Sequence, residues 1–243
     1  MKIIRKILIV VCVVVFVYSA YNLGKIFYNY YKIEKGTEDM IEQYVQTVNE
    51  SDVFDPLDRK IDFESLQKRN SDVVGWLYIP ETKIDEPIVR GKDNDTYLRS
   101  DVDHNYNYAG CIFIDANNNR DFKDINTVIY GHNMKNGSRF HDVRYYHIEG
   151  GTYIDEHPVI YIYLPDGSVN CYQVMASGNI DAGSQLYNIG NDYNQYVKDV
   201  NSVASHKKEV DEKEAPIIML STCNSSVETD RYVVWAKFSE NVK

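Results

Sequence analysis

Cysteine is scarce: 243 residues carry four, at positions 12, 111, 171 and 223. So few exclude a disulfide-dense scaffold, which a body of about 200 residues does not need in order to bury a core. Cys111 and Cys171 sit in strand-like runs and read as small buried hydrophobes, with a bridge between them left open. Excess positive charge is lacking too, since 26 Lys and Arg face 36 Asp and Glu for a net charge of −10. That balance argues against nucleic acid as a partner, because sequence-independent affinity for phosphate rests on basic residues. Metal-ligand spacing is missing as well: His104, His141, His147, His157 and His206 form no zinc set with any thiolate pair. Asp115-Ala116-Asn117-Asn118-Asn119-Arg120-Asp121 starts like a calcium loop. Arg120 then occupies the place of the glycine and Asn126 that of the bidentate glutamate, so no metal is expected.

Long apolar runs are absent except for one. Ile7 to Tyr21 is apolar apart from Ser19, follows Lys2, Arg5 and Lys6, and extends weakly through Leu23, Ile26, Phe27 and Tyr28. With this tail it reaches the roughly 20 residues a membrane span requires. A cleaved signal peptide shares the basic start and short apolar stretch, but Val17-Tyr18-Ser19-Ala20-Tyr21 lacks a clean A-x-A spacing. The expectation is a retained anchor over residues 1–29, with a cytoplasmic N-terminus and an exterior body.

Beyond the anchor, residues 30–72 read as a helical extension and 73–243 as a β-rich domain. Met40, Ile41, Tyr44, Val45 and Val48 recur at helical spacing over 37–48, and Phe63, Leu66 and Gln67 mark a second helix over 62–71, with Asp55-Pro56 breaking the chain between them. Eight short apolar runs follow, at 73–79, 84–89, 110–114, 127–131, 159–164, 169–177, 217–222 and 232–238. Strands this short and this numerous predict a mainly β fold with added helices, as one closed or nearly closed barrel. Residues 193–214 interrupt the pattern with a partly helical insertion, Tyr196, Val197, Val200 and Val203 sharing a face just before the 217–222 strand. An insertion there is a natural wall or lid.

Three residue types with complementary chemistry fall at strand ends. Ile217-Ile218-Met219-Leu220-Ser221-Thr222 delivers Cys223, Arg231 opens the next strand, and Thr127-Val128-Ile129-Tyr130-Gly131 delivers His132. A thiol nucleophile, a proton carrier that titrates near neutrality and a permanently charged donor for an oxyanion make a catalytic set, provided the sheet brings them together.

The stretches Tyr130-Gly131-His132-Asn133, Leu220-Ser221-Thr222-Cys223 and Arg231-Tyr232-Val233-Val234 resemble the sortase transpeptidases of Gram-positive bacteria, class B in particular. Val74-Gly75-Trp76-Leu77, Asp93-Asn94 followed by Tyr97-Leu98, and the run from Gly131 to Gly137 extend the likeness across residues 60–240. The resemblance implies an eight-stranded sortase-type barrel, no cofactor, and Cys223, His132 and Arg231 as catalytic residues. It also implies Asn94, Leu98, Tyr130 and Ser221 as groups that hold a sorting peptide. The implied reaction cleaves a C-terminal sorting signal after Thr through a thioester on Cys223 and transfers the acyl group to a cell-wall precursor amine, anchoring surface proteins to peptidoglycan. Two alternatives stand beside it: a membrane-tethered cysteine endopeptidase that uses water as acceptor, and a binding module that dispenses with the thiol. Asn94 has its own alternative, as a cap for a short helix at Tyr97-Leu98.

Overall fold

Before Pro56 there is no proline, and the two glycines, Gly24 and Gly36, each weaken a helix by about 1 kcal/mol, so nothing in that stretch enforces a stop. In the computed structural model, which describes residues 2–48, 55–211, 213–224 and 226–242, the chain begins with a single unbroken helix α1 (Lys2–Tyr44) of 43 residues. Among the described residues it is the one helix long and apolar enough to cross a membrane. The separate helix expected over 37–48 is therefore corrected: its first part is the end of α1, and β1 (Val45–Thr47) pairs antiparallel with β2 (Arg59–Ile61). Asp55 caps the helical turn 56–58 by accepting from the Leu57 N–H at 2.8 Å. Helix α2 (Phe63–Arg69) is capped by Asp62, whose carboxylate accepts from the Ser65 N–H at 3.0 Å. Phe63 and Leu66 of α2 pack with Tyr44 of α1 onto Val73, Trp76 and Val89 of the sheet.

The eight expected strands all form: β3 (Val73–Tyr78), β4 (Asp85–Val89), β5 (Ile112–Ile114), β6 (Asn126–Tyr130), and, after the short helices α3 (Tyr145–Ile148) and α4 (Gly151–Glu156), β7 (Val159–Tyr163) and β8 (Val169–Asp181). Helix α5 (Tyr193–Val203) and the two-residue β9 (His206–Lys207) precede β10 (Ile217–Cys223) and β11 (Asp230–Val242). The strands run in the order β11-β10-β6-β5-β4-β3-β7-β8, and the β8–β11 pairing closes the barrel, with β9 attached to β8. Pairing is antiparallel except for β4–β5 and β6–β10.

Both barrel faces are covered near the site, which explains the near-continuous apolar character of β10. Ile218 and Leu220 point into a core shared with Ile88, Ile112, Ile129, Ile162 and Val234. Ile217 and Met219 face the other way, under Tyr196 and Val200 of α5. Full burial of such side chains contributes about 1.5–3 kcal/mol each. Of the expected α5 face, Tyr196 and Val200 are buried, Val197 is packed at the edge and Val203 is exposed. Glu212, within the expected insertion, lies outside the described residues.

Candidate active site

Parallel pairing of β6 and β10 sets the site. Ser221 lies opposite Tyr130 in the last matched pair, so both strands end at the same barrel rim. Beyond the rim three hydrogen bonds keep the two chains side by side: Gly131 N–H to Ser221 O at 3.2 Å, Thr222 Oγ1 to Gly131 O at 2.7 Å, and Asn133 Nδ2 to Cys223 O at 3.0 Å. Glycine is required at 131, because a Cβ there would stand 2.6 Å from Cγ of Phe140. On the other side of β10, Cys223 is the register partner of Arg231 on β11.

The seven residues singled out in the sequence, Asn94, Leu98, Tyr130, His132, Ser221, Cys223 and Arg231, all line one cavity of about 350 Å³. Cys223 is exposed at its mouth, whereas Cys111 and Cys171 are buried and unbridged. Burial pushes the Cys111 thiol up to about 12 and that of Cys171 upward as well, which leaves both protonated and inert. His132 donates from Nε2 to the Leu98 carbonyl at 2.8 Å, the tautomer that a carbonyl acceptor demands. Burial lowers its pKa below the ordinary 6.5, and the charges of Arg99 and Arg139 add to that, while the Leu98 bond opposes it. The ring is thus neutral and turned toward Leu98; among the described residues it makes no hydrogen bond to the Cys223 thiol. Arg231 donates from Nη1 to the carbonyls of Glu228 and Asp230, both at 2.8 Å, which fixes the guanidinium against the β10–β11 turn.

Asn94 is held away from a capping role. Asp93 caps the turn at 95–98, accepting from the Thr96 N–H at 2.8 Å, while Asn94 donates to Asp115 Oδ2 and accepts from the Ala116 N–H, each at 2.8 Å. Asp115 Oδ2 also accepts from the Tyr130 hydroxyl at 3.0 Å, so one buried carboxylate positions two cavity-lining side chains. The oxygen-rich segment that begins at Asp115 supplies this hub.

Tyr187 is one of the lining residues that sequence patterning did not assign to the site, with Asp95, Phe113 and Ala182. Its hydroxyl is 2.8 Å from Ser221 Oγ, and its ring stacks on Tyr130 with centroids 6.1 Å apart and planes at 11°. Burial raises the Tyr187 phenol to about 12 and that of Tyr130 further still, with the Asp115 charge assisting at Tyr130, so both remain protonated. Tyr187 sits in a single turn of 3-10 helix at 185–187, too short for any periodic signal.

A thiol, an imidazole and a guanidinium on one rim, beside a groove of paired tyrosines and amide and hydroxyl groups, can attack a carbonyl in an extended peptide, move a proton and stabilise an oxyanion. Comparison with known proteins points the same way. A family model described as a sortase domain matches residues 77–239. The chain is 32% identical over 242 residues to sortase B of Listeria monocytogenes, covering 96% of this chain and 95% of that one. It is 31% identical over 185 residues to sortase B of Staphylococcus aureus, covering 72% and 73% of the two chains. The solved structure of sortase B from Clostridium perfringens matches with a TM-score of 0.68 at 26% identity, covering 74% of this chain and 100% of that one. With a closed barrel of the same architecture and relatives of this similarity along nearly its whole length, the chain belongs to the sortase family of cysteine transpeptidases, as a class B member.

Proposed function

We propose that Cys223 is the nucleophile, His132 the proton carrier and Arg231 the oxyanion donor of a transpeptidation that joins secreted proteins to a cell-wall precursor. The observation that carries this reading is the convergence of the three on one cavity together with Asn94, Leu98, Tyr130 and Ser221. After His132 rotates off the Leu98 carbonyl, it takes the thiol proton and the Cys223 thiolate adds to the carbonyl carbon of a threonine in the sorting signal. Arg231 holds the resulting oxyanion with the guanidinium donors its turn contacts leave over. Collapse breaks the C–N bond, and the imidazolium hands its proton to the departing amine, leaving a thioester. An incoming amine then gives its proton to His132 and displaces the thiolate, and the imidazolium returns that proton to Cys223, which restores the starting enzyme. Asn94, Tyr130 and Ser221 supply amide and hydroxyl partners for the extended peptide, and half-exposed Leu98 an apolar contact.

In the same reading α1 anchors the enzyme, with Lys2, Arg5 and Lys6 inside and the barrel outside, among secreted substrates and wall precursors. The test incubates the protein with a small library of sorting-signal peptides, with and without amine acceptors, and reads products by mass spectrometry. Ligated products that appear only with an amine are expected. Hydrolysed fragments alone, whatever amine is added, would overturn the transfer step.

A further inference from the structure

The axial rise of α1 fixes which part of the barrel sits nearest the bilayer. Side chains on α1 are exposed from Ile3 to Phe27 apart from Asn22, which is intermediate, and contact with the body begins near Tyr28 and Tyr30. A span of about 20 residues starting at Ile7 ends near Ile26. Ile33, which packs on Ala109 and Met134, lies seven residues further on, or about 10 Å along the axis at 1.5 Å per residue. The headgroup layer is itself roughly 5–8 Å deep on each side, and any helix tilt brings the body closer. Tyr28, Asn29 and Lys32 lie about 3–9 Å past the end of the span, at the depth of this layer. Tyr106, Asn107 and Tyr108 line a cavity of about 320 Å³ together with Tyr28, Asn29 and Lys32 of α1.

The exposure of that loop is unusual for this protein. Among the described residues outside α1, the exposed large hydrophobic side chains are Val48, Leu98, Tyr106, Tyr108, Ile148, Val203 and Val227, and Tyr106 is the most exposed of them at 75%. Tyr108 is 50% exposed and carries Arg99 over its ring at 4.7 Å, with Arg99 Nη1 donating to the Tyr108 carbonyl at 2.6 Å. An amphipathic ring beside a cation suits a phospholipid interface, where tyrosine is enriched and phosphate groups accept from arginine and lysine. The acidic groups of the loop are already engaged: Asp103 pairs with Arg69 at 2.6 Å, and Asp101 accepts from the N–H groups of Asp103 and Asn105.

We propose that Tyr106 and Tyr108 insert into the headgroup layer of the membrane that α1 crosses, docking the barrel on the outer leaflet in a fixed orientation. The proposal rests on the reading of α1 as an anchor. Because Ala109 and Met134 share the contact with Ile33, the same docking holds the His132 segment at a constant height above the lipid. The full-length protein, reconstituted in vesicles of phosphatidylglycerol and phosphatidylcholine, carries a reporter as Tyr106→Trp or Tyr108→Trp, with Val15→Trp marking the anchor. The native Trp76 and Trp235 are fully buried and give a constant background. Quenching is measured with lipids brominated near the top of the acyl chain for positions 106 and 108, with lipids brominated near the chain end for position 15, and with aqueous acrylamide. The expected result is loss of most reporter emission to brominated lipid at 106, 108 and 15, with little loss to acrylamide. Lipid quenching at 15 with acrylamide quenching at 106 and 108 would leave the anchor standing and overturn the docking. Protection of 106 and 108 from both quenchers would place a second protein chain on the loop and also overturn it. Absence of lipid quenching at 15 would remove the anchor reading and the docking with it.

Discussion

Cys223 differs from Cys111 and Cys171 in being exposed at a cavity mouth, while burial holds the other two thiols protonated. A thiol-directed reagent should modify Cys223 well before either of them, and Cys223→Ala should reduce peptide cleavage by at least about a thousand-fold with the fold retained. A variant keeping a tenth of the activity would end the assignment. Arg231→Lys preserves the charge but loses the planar fork, so kcat should fall by about 10²- to 10³-fold with a smaller change in KM; unchanged kcat would take the oxyanion role away. His132 should titrate below 6.5 when its ring proton is followed by NMR, and a midpoint above that would contradict its burial. Since the folded protein resists protonating this ring, the unfolded chain binds more protons below about 6.5, and stability at this group falls as the pH drops through that range. That Cys223, His132 and Arg231 would meet at one cavity was legible because each lies at the end of an apolar strand, where chain direction fixes the residue. Asn94 was harder, because a capping aspartate directly before it makes a cap look as plausible as a groove residue in sequence, and only the structure gives the cap to Asp93 and turns Asn94 to Asp115.

At the scale of elements, periodicity served best where one face or both are buried. The barrel strands were readable because their side chains alternate between cores, as Ile217 and Ile218 do on β10, and α5 because Tyr196 and Val200 mark its one buried face. Continuity was harder to read: the helix expected over 37–48 is the end of α1, since no residue between the apolar run and Tyr44 enforces a stop, and the switch to β1 comes from pairing with the distant β2. Tyr187 escaped for the same kind of reason, as a single turn has no period, and its place beside Ser221 exists only in three dimensions. The tight crossing after β6 is open to a direct trial. Gly131→Ala puts a Cβ against the Phe140 ring and should cost about 1–3 kcal/mol in chemical denaturation. Because the shift falls next to His132, activity should drop even at temperatures where the variant is folded. Wild-type stability and activity together would show that the approach to Phe140 does not position the histidine.

For the whole molecule, barrel closure, the acidic body and the long N-terminal helix combine into one account, in which a rigid rim presents a cysteine to secreted peptides and passes the acyl group to an amine. The covalent intermediate is its central claim. Intact-protein mass spectrometry of the enzyme mixed with a sorting-signal peptide, followed by peptide mapping, should show one acyl group attached through Cys223, and addition of an amine acceptor should clear it as the ligated product appears. An adduct on any other residue, or a thioester at Cys223 that persists in the presence of every amine while only water discharges it, would contradict the account.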